Sequence, residues 1–261
     1  VVLELGDSFR EAGLNNVNRS EAGRSIGDFY VIKTDGIFQD WEEIYAHTSL
    51  VTDPVSGETT EVIIQPDARP GDIRYEDHNG DGIINNDDRQ YVGSPLPKLE
   101  AALRLTAGYK QFDFTLFLTG VYGNKIYNAG TFWLERMDDV ANYPAGLDPW
   151  TEENPSTSTP RALIGPNDNA KANTDRWIED GSYIRLKNLQ AGYTFPREII
   201  FGDAPGNGSL RVYAGVQNLF TLTRYSGYDP EISGGSVFGK GNDSGHFPPV
   251  RTYLAGVQLT F

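Results

Sequence analysis

Residues 75–89 read YEDHNGDGIINNDDR, and their alternating oxygens suit a divalent cation better than any covalent chemistry. A hard cation such as Ca²⁺ takes six to eight oxygen ligands, and an EF-hand-like loop of about 12 residues supplies them from positions 1, 3, 5, 7 and 12. Here those positions fall on Asp77, Asn79, Asp81, the backbone carbonyl of Ile83, and Asp88. Asn85 stands at the water-linked ninth position. Gly82 sits where the sharp turn needs no side chain, and Ile84 would anchor the loop to neighbouring apolar groups. Asp at the last position reaches less far than Glu, so the expected affinity is weak. The competing expectation is an Asx-rich turn whose side chains bond their own backbone.

Other reactive spacings carry less. GRSIG (23–27) matches a nucleophile-elbow pattern, but the strand-like DFYVIK follows where a helix is required. Of the histidines His47, His78 and His246, only His78 lies in a motif, the acidic loop. Glu135, Asp138 and Asp139 could be drawn as an acid–base set, yet they sit in a stretch rich in aromatics. No cysteine is present, which removes disulfides, thiolate catalysis and cysteine-held metals together. No catalytic residue is nominated, and the chain is not expected to be an enzyme. Trp133, Arg136, Trp150 and Arg161, all within 123–182, are the candidates for contacting a substrate or partner. Packing of that stretch against itself is the alternative.

The elements that must hold these residues are strands. Hydrophobic residues make up 38% of the 261, while Gly, Tyr and Phe are abundant, a balance that favours β-structure with many turns. Period-two alternation is plain in LEAALRLTAGY, where Leu99, Leu103, Leu105 and Tyr109 share one face and Glu100, Arg104 and Thr106 the other. It returns in FDFTLFLTGVY, LQAGYTF, LRVYAGVQNLF and TYLAGVQLTF, the last ending on the aromatic Phe261. These segments match the roughly 9–11 residues with which a tilted strand crosses a bilayer, and exceed the five or six of ordinary strands. Aromatics stand at segment ends, as interfacial girdles do. A soluble sandwich would alternate equally well.

Loop lengths favour the membrane reading. Lys110–Gln111 make a tight hairpin, whereas 36–97, 123–182 and 221–251 are long excursions. Short turns on one side and long loops on the other characterise outer-membrane barrels. With the last strand running toward the periplasm, every long excursion falls outside the cell. A strand near 27–35 makes six and one at Val1–Leu5 would make seven, below the minimum of about eight for a barrel. Open edges in lipid would leave backbone groups unpaired, so the expectation is a partial barrel completed by strands that precede this piece. The net charge of −14 disfavours nucleic acid, and no apolar run is long enough for a transmembrane helix.

Four stretches, GDFYVIKTDGIFQ (27–39), PGDIRYEDHNGDGIINNDDR (70–89), DGSYIRLKNLQAGYTFP (180–196) and VQNLFTLTRYSGYDPEI (216–232), together with the terminal LAGVQLTF, resemble the C-terminal part of SusC/RagA-type TonB-dependent transporters. The resemblance implies a barrel of about 22 strands around an N-terminal plug. It also implies import of oligosaccharides or peptides powered by the TonB system, with a SusD-like surface lipoprotein as lid. The plug and TonB box of such proteins are N-terminal, so this chain is expected to be the C-terminal portion of its transporter. A passive porin or adhesion barrel, or a secreted calcium-binding β-domain for glycans or proteins, are the other classes that the residues allow.

Overall fold

The computed structural model describes residues 1–6, 8–138, 142–202, 208–232 and 236–260. Asp139 and Phe261 therefore lie outside the described residues. The chain forms two compact units: Val1–Leu96, Lys125–Glu179 and Ile232–Gly245 in the first, and Pro97–Asn124, Asp180–Glu231 and His246–Phe261 in the second.

In the first unit, β1 (Phe9–Ala12), β2 (Asn18–Glu21), β3 (Asp28–Ile32) and β8 (Arg89–Gly93) form one sheet in that order. The pairs β4 (Thr34–Ile37) with β7 (Ile73–Tyr75), and β5 (Thr48–Thr52) with β6 (Thr59–Ile63), form two small ribbons. A third sheet orders β12 (Ile178–Asp180), β11 (Lys125–Asn128) and β16 (Asn242–Asp243). Helices α1 (Trp41–Ala46) and α2 (Ala129–Glu135) complete the unit. Asp40 and Asn128 cap them, each side chain accepting the N–H of the residue three positions on. The core gathers Val17, Phe29, Val31, Tyr127, Phe132 and Trp177.

The expected barrel strand at 27–35 is corrected here. Its centre is β3, where Phe29, Val31 and Ile32 are all buried, so both faces are covered by protein. A strand facing lipid on one side and water on the other requires alternation, and DFYVI is nearly continuous. Val1–Leu5 is not a strand either; Val2 exchanges backbone hydrogen bonds with Arg24 and Gly23. The excursions 36–97 and 123–182, and part of 221–251, are largely this unit's ordered elements rather than irregular loops.

The second unit is the alternating sheet. Its strands are β9 (Leu99–Tyr109), β10 (Phe112–Tyr122), β13 (Tyr183–Phe195), β14 (Ser209–Gln217), β15 (Thr221–Thr223) and β17 (Thr252–Thr260); helix α3 (Arg197–Phe201) follows β13. The spatial order is β17-β14-β13-β10-β9, all antiparallel, with β15 extending β14's place beside β13. Lys110, at φ 54°, turns β9 into β10. Leu105, Leu116, Leu189, Val216 and Tyr253 align across five strands on one face. A bulge at Lys187 breaks the β10–β13 register, so that Leu118 meets Leu186 while Leu116 meets Leu189. That extra residue returns both leucines to the same side.

Among the described residues no second layer covers this face. Leu103 is 50% exposed, Val212 41% and Val257 66%. A sandwich would bury them. The sheet is part of an antiparallel barrel wall, and no helix among the described residues is long and apolar enough to cross a membrane.

Candidate functional site

The acidic loop folds on its own side chains. Asp77 accepts the N–H groups of Gly80 at 2.7 Å and Gly82 at 2.8 Å. Asn79 accepts from Asp81, and Asp81 from Ile83, both at 2.9 Å. Gly82 has φ 78°, and a Cβ there would lie 2.5 Å from the Val62 side chain, so glycine is required twice over. Ile84 packs against Ile32, Ile73 and Tyr75, fastening the loop to the unit. Asp88 is fully buried; its two oxygens accept the N–H groups of His78 and Asn85, capping a short 3₁₀ turn. Among the described residues no cluster of three or more His, Cys, Asp or Glu is set to hold a metal. Each of these side-chain oxygens retains a second lone pair, so the hydrogen bonds leave Asp77, Asn79 and Asp81 with electron pairs a cation can take.

The four contact candidates separate into two places. Trp150 is buried, its Nε1–H donating to Gln39 at 3.1 Å, and its ring fills the space over Gly71. Arg161 forms a two-pronged pair with Asp72 at 2.7 and 2.9 Å, and Asn169 donates to the same carboxylate. These residues join 150–169 to the turn at 71–72. Trp133 is 52% exposed at the end of α2, with the Arg136 guanidinium 5.0 Å from its ring. Arg136 also donates to Asp138 at 2.7 Å, which ties up one member of the acid–base set considered above. Glu135 has its pKa raised by burial, with Arg176 opposing. Asp175 is likewise raised by burial, against two hydrogen bonds from Thr34. Burial lowers the pKa of His47.

On the polar face of the second unit, Arg211 of β14 reaches over β13 to Asp113 of β10, with contacts of 2.8 and 2.6 Å. The pair passes directly above Gly192, where any Cβ would collide with both partners. Gly256 similarly lies beneath the Tyr213 ring. Thus Asp113 and Arg211 are brought together, diagonally and across an intervening strand.

No family model matches the chain. Individual proteins do. TonB-dependent receptor P26 of Formosa agariphila is 33% identical over 249 residues, covering 92% of this chain and 23% of that protein. Receptor P3 of the same organism is 32% identical over 246 residues, covering 92% and 22%. TonB-dependent receptor SusC of Bacteroides thetaiotaomicron is 24% identical over 99% of this chain and 22% of its own length. Over nearly its whole length the chain is similar to TonB-dependent receptors, SusC among them. Its fold matches the RagAB peptide importer in the closed-closed state with a TM-score of 0.68 at 22% identity, covering 98% of this chain and 25% of that one. The open-open state gives 0.63. The chain thus spans about a quarter of the length of these relatives, which are named as receptors and transporters.

Within this segment, two of the resembling stretches are bonded to each other. Arg185, in YIRLKN, is 1% exposed. It donates to Thr221 at 2.8 Å, Glu231 at 2.6 Å and Asp229 at 2.5 Å, the last two from DPEI. Lys187 adds two contacts to Glu231, at 2.8 and 2.7 Å. Two cations and two carboxylates hold residues 221–231 against β13. Sequence reasoning missed this network; the signal was an arginine inside an apolar and aromatic strand.

Proposed function

We propose that this segment supplies the C-terminal wall of an outer-membrane barrel that actively imports oligosaccharide or peptide nutrients. One observation carries the reading: a five-strand sheet whose apolar face leaves Leu103, Leu105, Phe114, Val212 and Val257 exposed, backed by a face of paired charges, glycines and amides. Apolar side chains in lipid and polar ones toward an aqueous passage satisfy both solvents at once. The edges β9 and β17 then pair with strands of the rest of the same transporter, which also carries the plug and couples to TonB. The excursions 36–97, 123–182 and 221–251 lie extracellularly, under a SusD-like lipoprotein, where the exposed Trp133 ring, with Arg136 against it, offers a stacking surface. Ca²⁺ binding by Asp77, Asn79, Asp81, the Ile83 carbonyl and Asp88 belongs to the same reading, with Asp88 acting through its buried cap.

Deleting the whole transporter should abolish growth on its nutrient, tested with oligosaccharide and with peptide mixtures as sole carbon source. Wild-type protein should restore growth, and a version without the TonB-contacting segment should not. Restoration by both would make the barrel a passive pore. Recovery of the full protein from the aqueous fraction without detergent would leave only a secreted calcium-binding β-domain.

A further inference from the structure

The apolar face of the barrel sheet is not uniform. Near the ends of β9 and β10 remote from the Lys110–Gln111 turn, a groove of about 700 Å³ opens in it. Its floor exists because two small residues, Ala101 and Gly120, face each other across the strands. Its walls are larger: Leu99 and Tyr122 on one side, Ile184 and Leu222 on the other. Leu99, Tyr122, Ile184 and Leu222 are each more than half exposed. The register places all four on the face of Leu103, Leu118 and Leu186, so the groove is continuous with the lipid-facing side.

The mouth is charged. Arg224 lines it, is exposed, and has no acceptor among the described residues. Among the described residues Asp180 is the one acidic residue in the lining, and its carboxylate already accepts the N–H and hydroxyl of Ser182 at 3.1 and 2.7 Å. An apolar slot ending at an available guanidinium matches a molecule with a hydrocarbon chain and a phosphate.

We infer that this groove is a binding site for a membrane lipid with an anionic phosphate headgroup, one acyl chain lying between Leu99, Tyr122, Ile184 and Leu222 and the phosphate on Arg224. The inference rests on the barrel reading above. Within a bilayer, hydrocarbon gains little by moving from lipid to protein, so the groove supplies shape and the guanidinium supplies selectivity.

The test uses the full-length transporter, delipidated in detergent and titrated with phosphatidylglycerol or with diacylglycerol of the same chains, read by native mass spectrometry. Wild type should prefer phosphatidylglycerol by about tenfold, the worth of one charged hydrogen-bonded contact. Arg224→Gln should erase that preference. Gly120→Leu should weaken both lipids by filling the floor; a Cβ there finds its nearest atoms at 3.4 and 3.6 Å, so the backbone accommodates it. The inference fails if either variant binds phosphatidylglycerol as wild type does, and Arg224→Gln, at an exposed position, decides the matter should the leucine variant not fold. A full-length protein that needs no detergent would instead overturn the barrel reading itself.

Discussion

Replacing Arg185 with Met should be among the most damaging single changes on the polar face of the sheet. Methionine fills much of the same volume but strips three donors at once. Asp229, 7% exposed, loses its 2.5 Å partner and becomes an uncompensated buried carboxylate. Such a loss costs about 3–5 kcal/mol. Thr221 loses one hydrogen bond, worth about 1 kcal/mol. Glu231 suffers little, because its side chain is 40% exposed and Lys187 still reaches both of its oxygens. The estimate is therefore about 4–6 kcal/mol, dominated by Asp229. Lys187→Met, by contrast, removes a partly exposed ion pair worth about 1 kcal/mol or less. Urea unfolding of the full-length transporter in detergent, with limited proteolysis across 218–231 as a local readout, measures both. The expected order is Arg185→Met far below wild type and Lys187→Met close to it, with Asp229→Leu partly rescuing the arginine variant. Equal costs for the two cations, or no rescue, would refute the buried-charge reasoning.

Gly192→Ala should cost about 1–3 kcal/mol by forcing apart Asp113 and Arg211, whereas Gly108→Ala, whose Cβ would meet only a carbonyl at 3.9 Å, should not; thermal unfolding in detergent compares them. Asp175 has a folded-state pKa raised above its ordinary 3.8 by burial, so the protonated form is favoured in the fold. Its contribution is present below pH 3.8 and is lost as pH rises through the shifted value, and Asp175→Asn should flatten that part of the stability-versus-pH curve. Millimolar calcium added to chelated protein should protect 75–89 from proteolysis, an effect absent in Asp81→Ala; no protection of wild type would leave the loop an Asx turn alone.

The barrel sheet was legible because its determinants are local. In LEAALRLTAGY and TYLAGVQLTF each residue's side follows from its neighbours two positions away, and lipid on one side with water on the other enforces that rule along the whole strand. The first unit was not legible for the opposite reason. Asn18 bonds Asn242, Arg161 bonds Asp72, and Ile32 bridges Thr174, contacts whose partners are scattered through the chain. DFYVI reads as a strand either way, and only the burial of both its faces shows that it belongs elsewhere. Trp150 and Arg161 have the residue types of a binding surface, yet the structure employs them in packing and in an ion pair. The aromatic and cationic character that recognises ligands also serves a protein holding a long excursion together.

Glycines at 192 and 256 have an effect on bore. A guanidinium and a phenol ordinarily stand several ångströms off a strand. Beneath Arg211 and Tyr213 the missing side chains let both recline along the wall. In the proposed barrel, the passage-facing wall can therefore carry charge and hydroxyl without narrowing the bore.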